Sequence, residues 1–521
     1  MNRFYKTILI FSLILAVGCS KDFLETKPSN RMGQTDAETT VEGLEAIANG
    51  IHNMMYMYNH GGQVGGLGQQ GIAAQLDMLG DDMINTKPAY HMPVYRYQDH
   101  HKVHADGFIN YKTWDYYYTI IQHANKVFLG VEQVDMLPEQ RQFILGQAHA
   151  LRAFAYHNLV QLFAKRYEAG GTNSQLGVII RTPDKLEDNL PRSTVAEVYA
   201  FIDADMEKAL EFLKNAPDKK FKNVIRYSTA CGIAARIALT KSEWAKAEKY
   251  AKLAIDKSGA TLQVGNALID GFNNYSATEW MWGYTQNAEQ QGYFFHFNSS
   301  YSYNFRGHNK SLRYAVNRDI YDQMGEKDVR RKWWVCLDRG DKIPADADAE
   351  YFSGGEKDPK WEVTGQSIKY KALSNSDSRG DAVLMRLAEM YYILAEAQAR
   401  QGKDSDAQAT LNEIMKTRDV DYNTVATGDA LKEEIMRNKR IDLWMEGQRF
   451  FDMKRLGVIP NRLKSKNIQV YLTGPEKQTA IDRNSGINAV NLPKTMDSKF
   501  WQFAIPYGEI IGNPLCKQNE L

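Results

Sequence analysis

Few side chains in this sequence are spaced for chemistry. Asp81 and Asp82 form an acidic pair in a stretch without helical period. Cleaving a glycosidic bond takes two carboxylates at a set separation across a cleft. Adjacent residues generally point apart, so this pair makes a poor acid and base. His91, His100, His101 and His104 gather in the same region, but no HExxH and no paired cysteines accompany them. One His-rich loop does not supply metal geometry, and a solvated loop without metal is the expectation. The stretch 61–71, GGQVGGLGQQG, lacks the GK[ST] of a phosphate cradle and reads as a mobile segment able to order over a ligand. The four cysteines, Cys19, Cys231, Cys336 and Cys516, lie far apart with no CxxC spacing, against a zinc site or disulfide framework. No constellation meets the geometric demands of catalysis. A protein that binds without catalysing, and without a cofactor, is expected.

The bulk numbers agree with binding by shape. Across 521 residues, 64 Lys plus Arg nearly cancel 63 Asp plus Glu. That leaves no basic field for nucleic acid and no acidic field for cations. Aromatics at 11% and hydrophobics at 43% suffice for a packed interior. Length alone allows two to four domains.

The N-terminus reads as an address. Arg3 and Lys6 precede the apolar run Ile8 to Val17, then Gly18 and Cys19. The run is too short for a permanent membrane span. Ala16-Val17-Gly18-Cys19 resembles a lipobox in which the cysteine is lipidated, with the preferred Leu one place early at Leu15. A lipoprotein signal over 1–18 and a lipidated tether over 19–34 follow. Ser20-Lys21-Asp22 resembles the short charged stretch that sends Bacteroidetes lipoproteins to the cell exterior.

The elements that must position any site are helical. Thr35-Asp36-Ala37-Glu38 reads as a capping box ahead of Val41, Leu44, Ala48, Ile51 and Met55 on one face. Trp114, Tyr117, Ile121, Ala124 and Phe128 make a second stripe. Pro138 opens a third, running from Ile144 to Leu162, and Thr194 to Glu197 caps a fourth. Two helix-turn-helix pairs follow, in 228–257 and 384–418. Ala235 to Ala247 and Ala395 to Ala407 are each twelve apart, and Gly402 marks a turn. This is the small-residue spacing of tetratricopeptide repeats. One domain over 35–521 is expected, with a scaffold at about 35–58, 113–258 and 382–455. Stretches without helical period remain at about 60–112 and 260–380. The second holds five of the nine tryptophans, Trp280, Trp282, Trp333, Trp334 and Trp361. Aromatics in irregular segments suggest a binding surface, because long loops inside compact proteins carry function.

These landmarks, in order, resemble the SusD/RagB family of Bacteroidetes. After the lipobox come Asp22-Phe23-Leu24-Glu25, the Asp81-Asp82 pair, and Trp114 to Lys126 ending Ala124-Asn125-Lys126. Ala148 to Tyr156 follows as AHALRAFAY. The closest matches are DLWMEGQRFFDMKR at 442–455 and WQFAIPYGEIIGNPLCKQN at 501–519. Asn438 and Asp442 stand where the family usually has glutamates, and both read as helix-surface ion partners. The resemblance implies an all-α, tetratricopeptide-like helical-repeat scaffold with long irregular loop-rich ligand-binding insertions. It also implies a surface lipoprotein of the outer membrane that binds an oligosaccharide and serves as a hinged lid on a SusC-like TonB-dependent barrel. Such proteins are not enzymes, and some relatives on the RagB side take peptides instead.

For a sugar ligand the candidate contacts can be sought directly. Sugar rings carry flat C–H faces that pack on aromatic rings while polar neighbours satisfy the hydroxyls. The first cluster that fits is Asp81, Asp82, Asn85, Tyr90, His91, Tyr95, Arg96 and Tyr97. The second is Trp282, Tyr284, Tyr293, Tyr301, Tyr303, Asn304 and Arg306. Against them stands the tendency of Trp and Tyr to be buried. Trp280, Trp282 and Tyr284 alternate as on a strand, so one face of it is expected in the core.

Overall fold

The computed structural model describes residues 38–57, 68–85, 92–104, 109–217, 220–290, 296–309, 314–353, 364–481 and 491–521. The lipobox and Cys19, the Thr35 cap, and Tyr90, His91, Tyr293 and Trp361 lie outside them.

Helix α1 spans Val41–Met57 and buries Leu44, Ala48, Ile51 and Met55, the stripe its spacing predicts. Helix α2, Gly68–Asp77, begins inside the glycine-rich stretch, so residues 68–71 are ordered helix instead of mobile chain. Gly68 has φ +65°, and a Cβ there would collide with the Met55 carbonyl, so only glycine lets α2 start against the end of α1. Helices α3 (Ile109–Val131), α4 (Pro138–Phe163) and α5 (Val195–Asn215) pack side by side. Pro138 opens α4, and α5 carries the predicted capping box: Glu197 N donates to Thr194 Oγ1 at 3.2 Å, while Thr194 N donates to Glu197 Oε2 at 2.7 Å.

Helix α4 is buried continuously from Ile144 to Phe163, polar residues included. Each of these needs a partner inside the protein. Arg152 donates to both Asp205 oxygens at 2.8 and 2.7 Å and to Asn125 Oδ1 at 2.6 Å, with the Phe128 and Phe201 rings 4.3 and 4.8 Å away. At the far end, Lys454 Nζ donates to the carbonyls of Gln161, Ala164 and Trp501 at 2.5, 2.7 and 2.7 Å. A cation at a helix C-terminus satisfies the last carbonyls and complements the dipole. Burial pushes this ammonium down to about 7.

The two small-residue pairs are helical hairpins. Helices α6 (Tyr227–Thr240) and α7 (Trp244–Ser258) form the first; α8 (Leu387–Arg400) and α9 (Asp404–Lys416) form the second. Helix α7 packs on both α6 and α8, so the hairpins stack through the alanines at 235, 247, 251, 254, 395, 399 and 407, all buried. This is the tetratricopeptide-like arrangement, and the fold is all-α in class. Helices α10 (Gly428–Asp442), α11 (Arg449–Leu456), α12 (Gly474–Ile481) and α13 (Tyr507–Gly512) complete the set of longer helices.

The stretches without helical period are more ordered than their sequences suggest. Strands β1 (Met83–Asn85), β3 (Tyr314–Val316), β4 (Trp334–Val335) and β5 (Gln366–Ser367) form an antiparallel sheet in the order β1-β3-β5-β4. Strand β2 (Trp280–Tyr284) pairs antiparallel with β6 (Ala382–Arg386). The strand at 280–284 is as predicted, but all five residues are buried, because α6 lies against β2 while β6 pairs its edge.

The core carries an ionic network that corrects one expectation. Asp442 is fully buried, not a helix-surface partner. It accepts from Arg418 Nε at 2.9 Å, Arg386 Nη2 at 3.0 Å and Tyr392 at 3.1 Å, with Arg330 Nη1 at 3.4 Å. Glu279 accepts from Arg386 and Arg418 at 2.6 and 2.9 Å. Asn438 is buried too and accepts from Arg330 Nη2 at 2.9 Å. Several guanidinium donors on each carboxylate offset a desolvation cost that one ion pair would not.

Candidate functional site

The first cluster of sequence candidates is built into the core. Arg449 Nε donates to Asp81 at 2.7 Å, and Arg440 Nε donates to Asp82 at 2.7 Å. Burial would raise the Asp81 carboxyl, but Arg449 and Arg440 outweigh it and hold it well below the usual carboxylate range. The Asp82 carbonyl takes Trp444 Nε1 at 3.0 Å. Tyr95 is fully buried: its hydroxyl donates to the Met83 carbonyl at 3.2 Å and accepts from Asn85 N at 2.9 Å. Arg462 lies 3.8 Å over its ring. Tyr97 is buried with its hydroxyl on the Leu79 carbonyl, and Arg96 is half-buried. His100 and His101 each donate Nε2 to a backbone carbonyl, of Phe500 and Lys499, at 3.1 and 3.2 Å. These side chains fasten segments together, and no described carboxylate of the pair faces open space.

The second cluster divides. Trp282 is fully buried and lines a cleft among the helices. Tyr284 is 1% exposed, packs on Tyr56 at 4.9 Å, and its hydroxyl meets His52 Nδ1 at 3.2 Å. Gln147 joins the Ile225 backbone through both ends of its amide, which fixes the orientation of that amide. Its Oε1 therefore takes His52 Nε2–H at 2.9 Å, and Nδ1 accepts from Tyr284. Tyr301 is 4% exposed and stacks on Phe297 at 4.8 Å. Trp280, Trp333 and Trp334 are buried as well. The expectation of an aromatic surface in these segments fails for all the described tryptophans there. The physical reason is size: an indole ring removes more apolar area from water than a loop can leave uncovered.

What remains exposed is a polar rim around Tyr303 and Arg306. Residues 303–306 are laced to 370–375. Asn304 makes a pair of hydrogen bonds with the Ala372 backbone at 3.1 and 2.8 Å, and Arg306 N donates to the Asn375 carbonyl at 3.3 Å. Asp348 N donates to the Tyr303 carbonyl at 3.0 Å, holding the segment 344–353 across the tyrosine. Beneath it Tyr303, Val335, Tyr351 and Phe352 form a small core of their own. The Tyr303 hydroxyl reaches both Asp346 oxygens at 3.2 Å, and Lys371 Nζ is 2.7 Å from Asp346. Asp346 and Lys371 are 47% and 43% exposed in their side chains, and Arg306 is exposed. Burial pushes the Asp346 carboxyl up, but Lys371 and the Tyr303 hydroxyl together outweigh it and hold it below the usual range. A carboxylate held ionised is a poor general acid, whereas Asp346 with Lys371 beside it, and the exposed Arg306, offer acceptors and donors to hydroxyl groups. Tyr303 and Arg306 are among the candidates the sequence offers; Asp346 and Lys371 are not. The pairing depends on a fold-back of about forty residues that no local spacing announces.

Two family profiles match nearly end to end. Residues 252–521 match one described as the SusD family, and residues 22–239 match one described as starch-binding associating with outer membrane. This chain belongs to the SusD family. Among relatives of this SusD-family chain is SusD-like protein P2 of Formosa agariphila, 24% identical over 504 residues, covering 87% of this chain and 90% of that one. A solved SusD-like carbohydrate binding protein from Bacteroides vulgatus superposes with a TM-score of 0.75 at 23% identity, over 93% of this chain and 99% of that chain. Surface glycan-binding protein A from Bacteroides thetaiotaomicron, solved in complex with laminarihexaose, gives a TM-score of 0.66 at 15% identity, over 92% and 100%. At these identities the structural likeness establishes the SusD-family fold, not shared contacts. No described helix of the chain is long and apolar enough to cross a membrane.

Proposed function

We propose that this protein captures a neutral oligosaccharide at the outer surface of the cell, without cleaving it, and passes it to a SusC-like TonB-dependent barrel over which it acts as a lid. The observation that carries this reading is the family match across both halves of the chain. The neighbour bound to laminarihexaose supports a glycan ligand. The near cancellation of charge favours a neutral one. Lipidation at Cys19 would tether the chain to the membrane, in keeping with a family described as associating with it.

Within this reading, Arg306, Asp346, Lys371 and the Tyr303 hydroxyl bind ligand hydroxyls. Asp81, Asp82, Tyr95, Tyr284 and Tyr301 support the fold around them. The experiment is a purification from outer membranes of the tagged lipoprotein and its Cys19→Ala variant, followed by a glycan and peptide array. Recovery of a TonB-dependent barrel with the tagged protein, loss of membrane attachment in C19A, and glycan binding support the proposal. A protein that binds only peptides, or no barrel, contradicts it.

A further inference from the structure

Helices α3, α4 and α5 leave between them a groove with a free volume of about 700 Å³, which shares no residue with the rim around Tyr303 and Arg306. Its floor is a row of rings: His149 lies between Phe128 at 4.4 Å and Phe212 at 5.9 Å. His149 Nδ1–H donates to Asp205 at 2.7 Å, and burial pushes the imidazole down, so the middle ring of the floor is neutral. Leu129, 41% exposed, and half-buried Pro183 extend the apolar wall. On the rim, Lys208 is exposed and engaged by no ion pair among the described residues. Arg141 shares Glu132, whose side chain is 74% exposed and free to move aside. Glu211 lines the same rim, so the groove suits an apolar ligand carrying a carboxylate better than a polyanion.

A segment of this chain has that chemistry and starts from the right place. The described residues begin at Glu38, beside the groove. Glu38 pairs with Lys126 at 3.7 Å, two residues before Phe128, and a Cβ on Gly130 would meet the Glu38 carbonyl at 2.9 Å. Val41, at the start of α1, packs on the same small core as Phe128 and Phe212. Upstream, residues 19–37 carry three large apolar side chains, Phe23, Leu24 and Met32. Asp22-Phe23-Leu24-Glu25 sets two of them side by side between carboxylates. Residues 26–37 can span up to roughly 40 Å when extended, more than the roughly 20 Å across three packed helices.

We infer that Asp22-Phe23-Leu24-Glu25 docks in this groove, with the Phe23 ring on the His149 floor, Leu24 against Leu129, and a flanking carboxylate on Lys208. Adjacent Phe and Leu gain by leaving water, and a floor of rings takes an aromatic side chain well. The docking rests on the groove and the sequence alone. Its consequence rests on the proposed lipidation of Cys19. A docked tether leaves only Cys19 to Lys21 between lipid and scaffold, a reach of roughly 10 Å against roughly 60 Å for all of residues 19–37. The groove then sets how far the scaffold stands from the membrane.

The test is hydrogen exchange on the mature full-length chain, with Cys19 intact and as Cys19→Ala, read by mass spectrometry over residues 20–27. Amides of residues 22–25 are expected to exchange about tenfold or more slowly than in a synthetic peptide of residues 20–34. Leu129→Asp, at an exposed side chain, removes that protection, and Lys208→Glu lowers it severalfold. Leu137→Asp, 59% exposed and outside the groove, leaves it in place, and circular dichroism confirms that each variant keeps its fold. Exchange at the peptide rate overturns the docking, as does protection that survives Leu129→Asp. Protection that grows with protein concentration also overturns it and gives the groove to a second copy. The measurement needs neither lipid nor glycan. Docking that persists in C19A while that variant stays on the membrane sinks the lipidation reading alone, and loss of protection with glycan binding intact sinks the docking alone.

Discussion

Arg418 Nε donates to Asp442 Oδ2 at 2.9 Å with both side chains wholly removed from solvent. The pair ties the end of α9 to the end of α10, and through Arg386 and Glu279 it reaches β6 and the entry to β2. The tetratricopeptide-like hairpins and the sheet-bearing insertions are thus joined by charge as well as by apolar packing. Asp442→Asn keeps the volume but leaves three arginines facing a neutral amide. We predict a loss of about 3–5 kcal/mol, the cost of uncompensated buried charge, read from denaturant unfolding followed by circular dichroism. A loss below 1 kcal/mol would show that water relieves these arginines.

Stability should fall in acid in two stages. Burial pushes His52 down to about 4 against the pull of its Gln147 acceptor. A histidine whose folded pKa is depressed contributes stability that is present above the unfolded value near 6.5 and is lost as pH falls toward 4. At roughly 1.4 kcal/mol per unit this one ring accounts for about 3 kcal/mol. For Asp452 burial acts upward, but Lys439 and Arg455 prevail and hold it at about 2. Its contribution is present above the unfolded value near 4 and is lost between about 4 and 2. Melting temperature against pH should bend first between 6.5 and 4, a limb to which buried His157 and His100 also contribute, and His52→Gln should reduce its slope. An unchanged limb in H52Q would assign the effect to other groups.

Gly68→Ala tests the junction of α1 and α2. A side chain at φ +65° is strained, and its Cβ meets the Met55 carbonyl and comes within 2.9 Å of the Tyr56 Cα. The expected cost is about 1–3 kcal/mol, read as a lowered denaturant midpoint with an unchanged slope.

Much of the scaffold was legible in the sequence because its signals are local. The Thr194–Glu197 cap, Pro138 at the start of α4, and the alanines of α6 to α9 each encode a helix end or a close crossing within a few residues. The insertions were legible only as irregular. Their strands are two to five residues long and pair across gaps such as Met83 with Val316, so neither period nor propensity reveals them. The site was misread where burial decides. Asp81, Tyr95 and Tyr284 have the right chemistry for a sugar, but Arg449, Arg462 and His52 claim them from elsewhere in the chain. Asp442 and Asn438 look like surface residues in a helix of mostly polar composition until Arg330, Arg386 and Arg418 converge on them.

The rim makes the opposite prediction to the core. Arg306→Ala and Lys371→Ala remove exposed side chains, so stability should change by less than about 0.5 kcal/mol. Glycan affinity should fall about tenfold or more in each, consistent with losing a charge-assisted hydrogen bond. A loss of stability alongside binding would place these residues in the fold instead of the ligand contact.

The most direct test of the account is isothermal titration of the purified protein against a panel of neutral plant, fungal and host oligosaccharides, with peptides in the same panel. Saturable binding of one neutral glycan class, released intact and weakened by R306A, is the predicted result. Binding of peptides alone, or appearance of cleaved glycan, would contradict it.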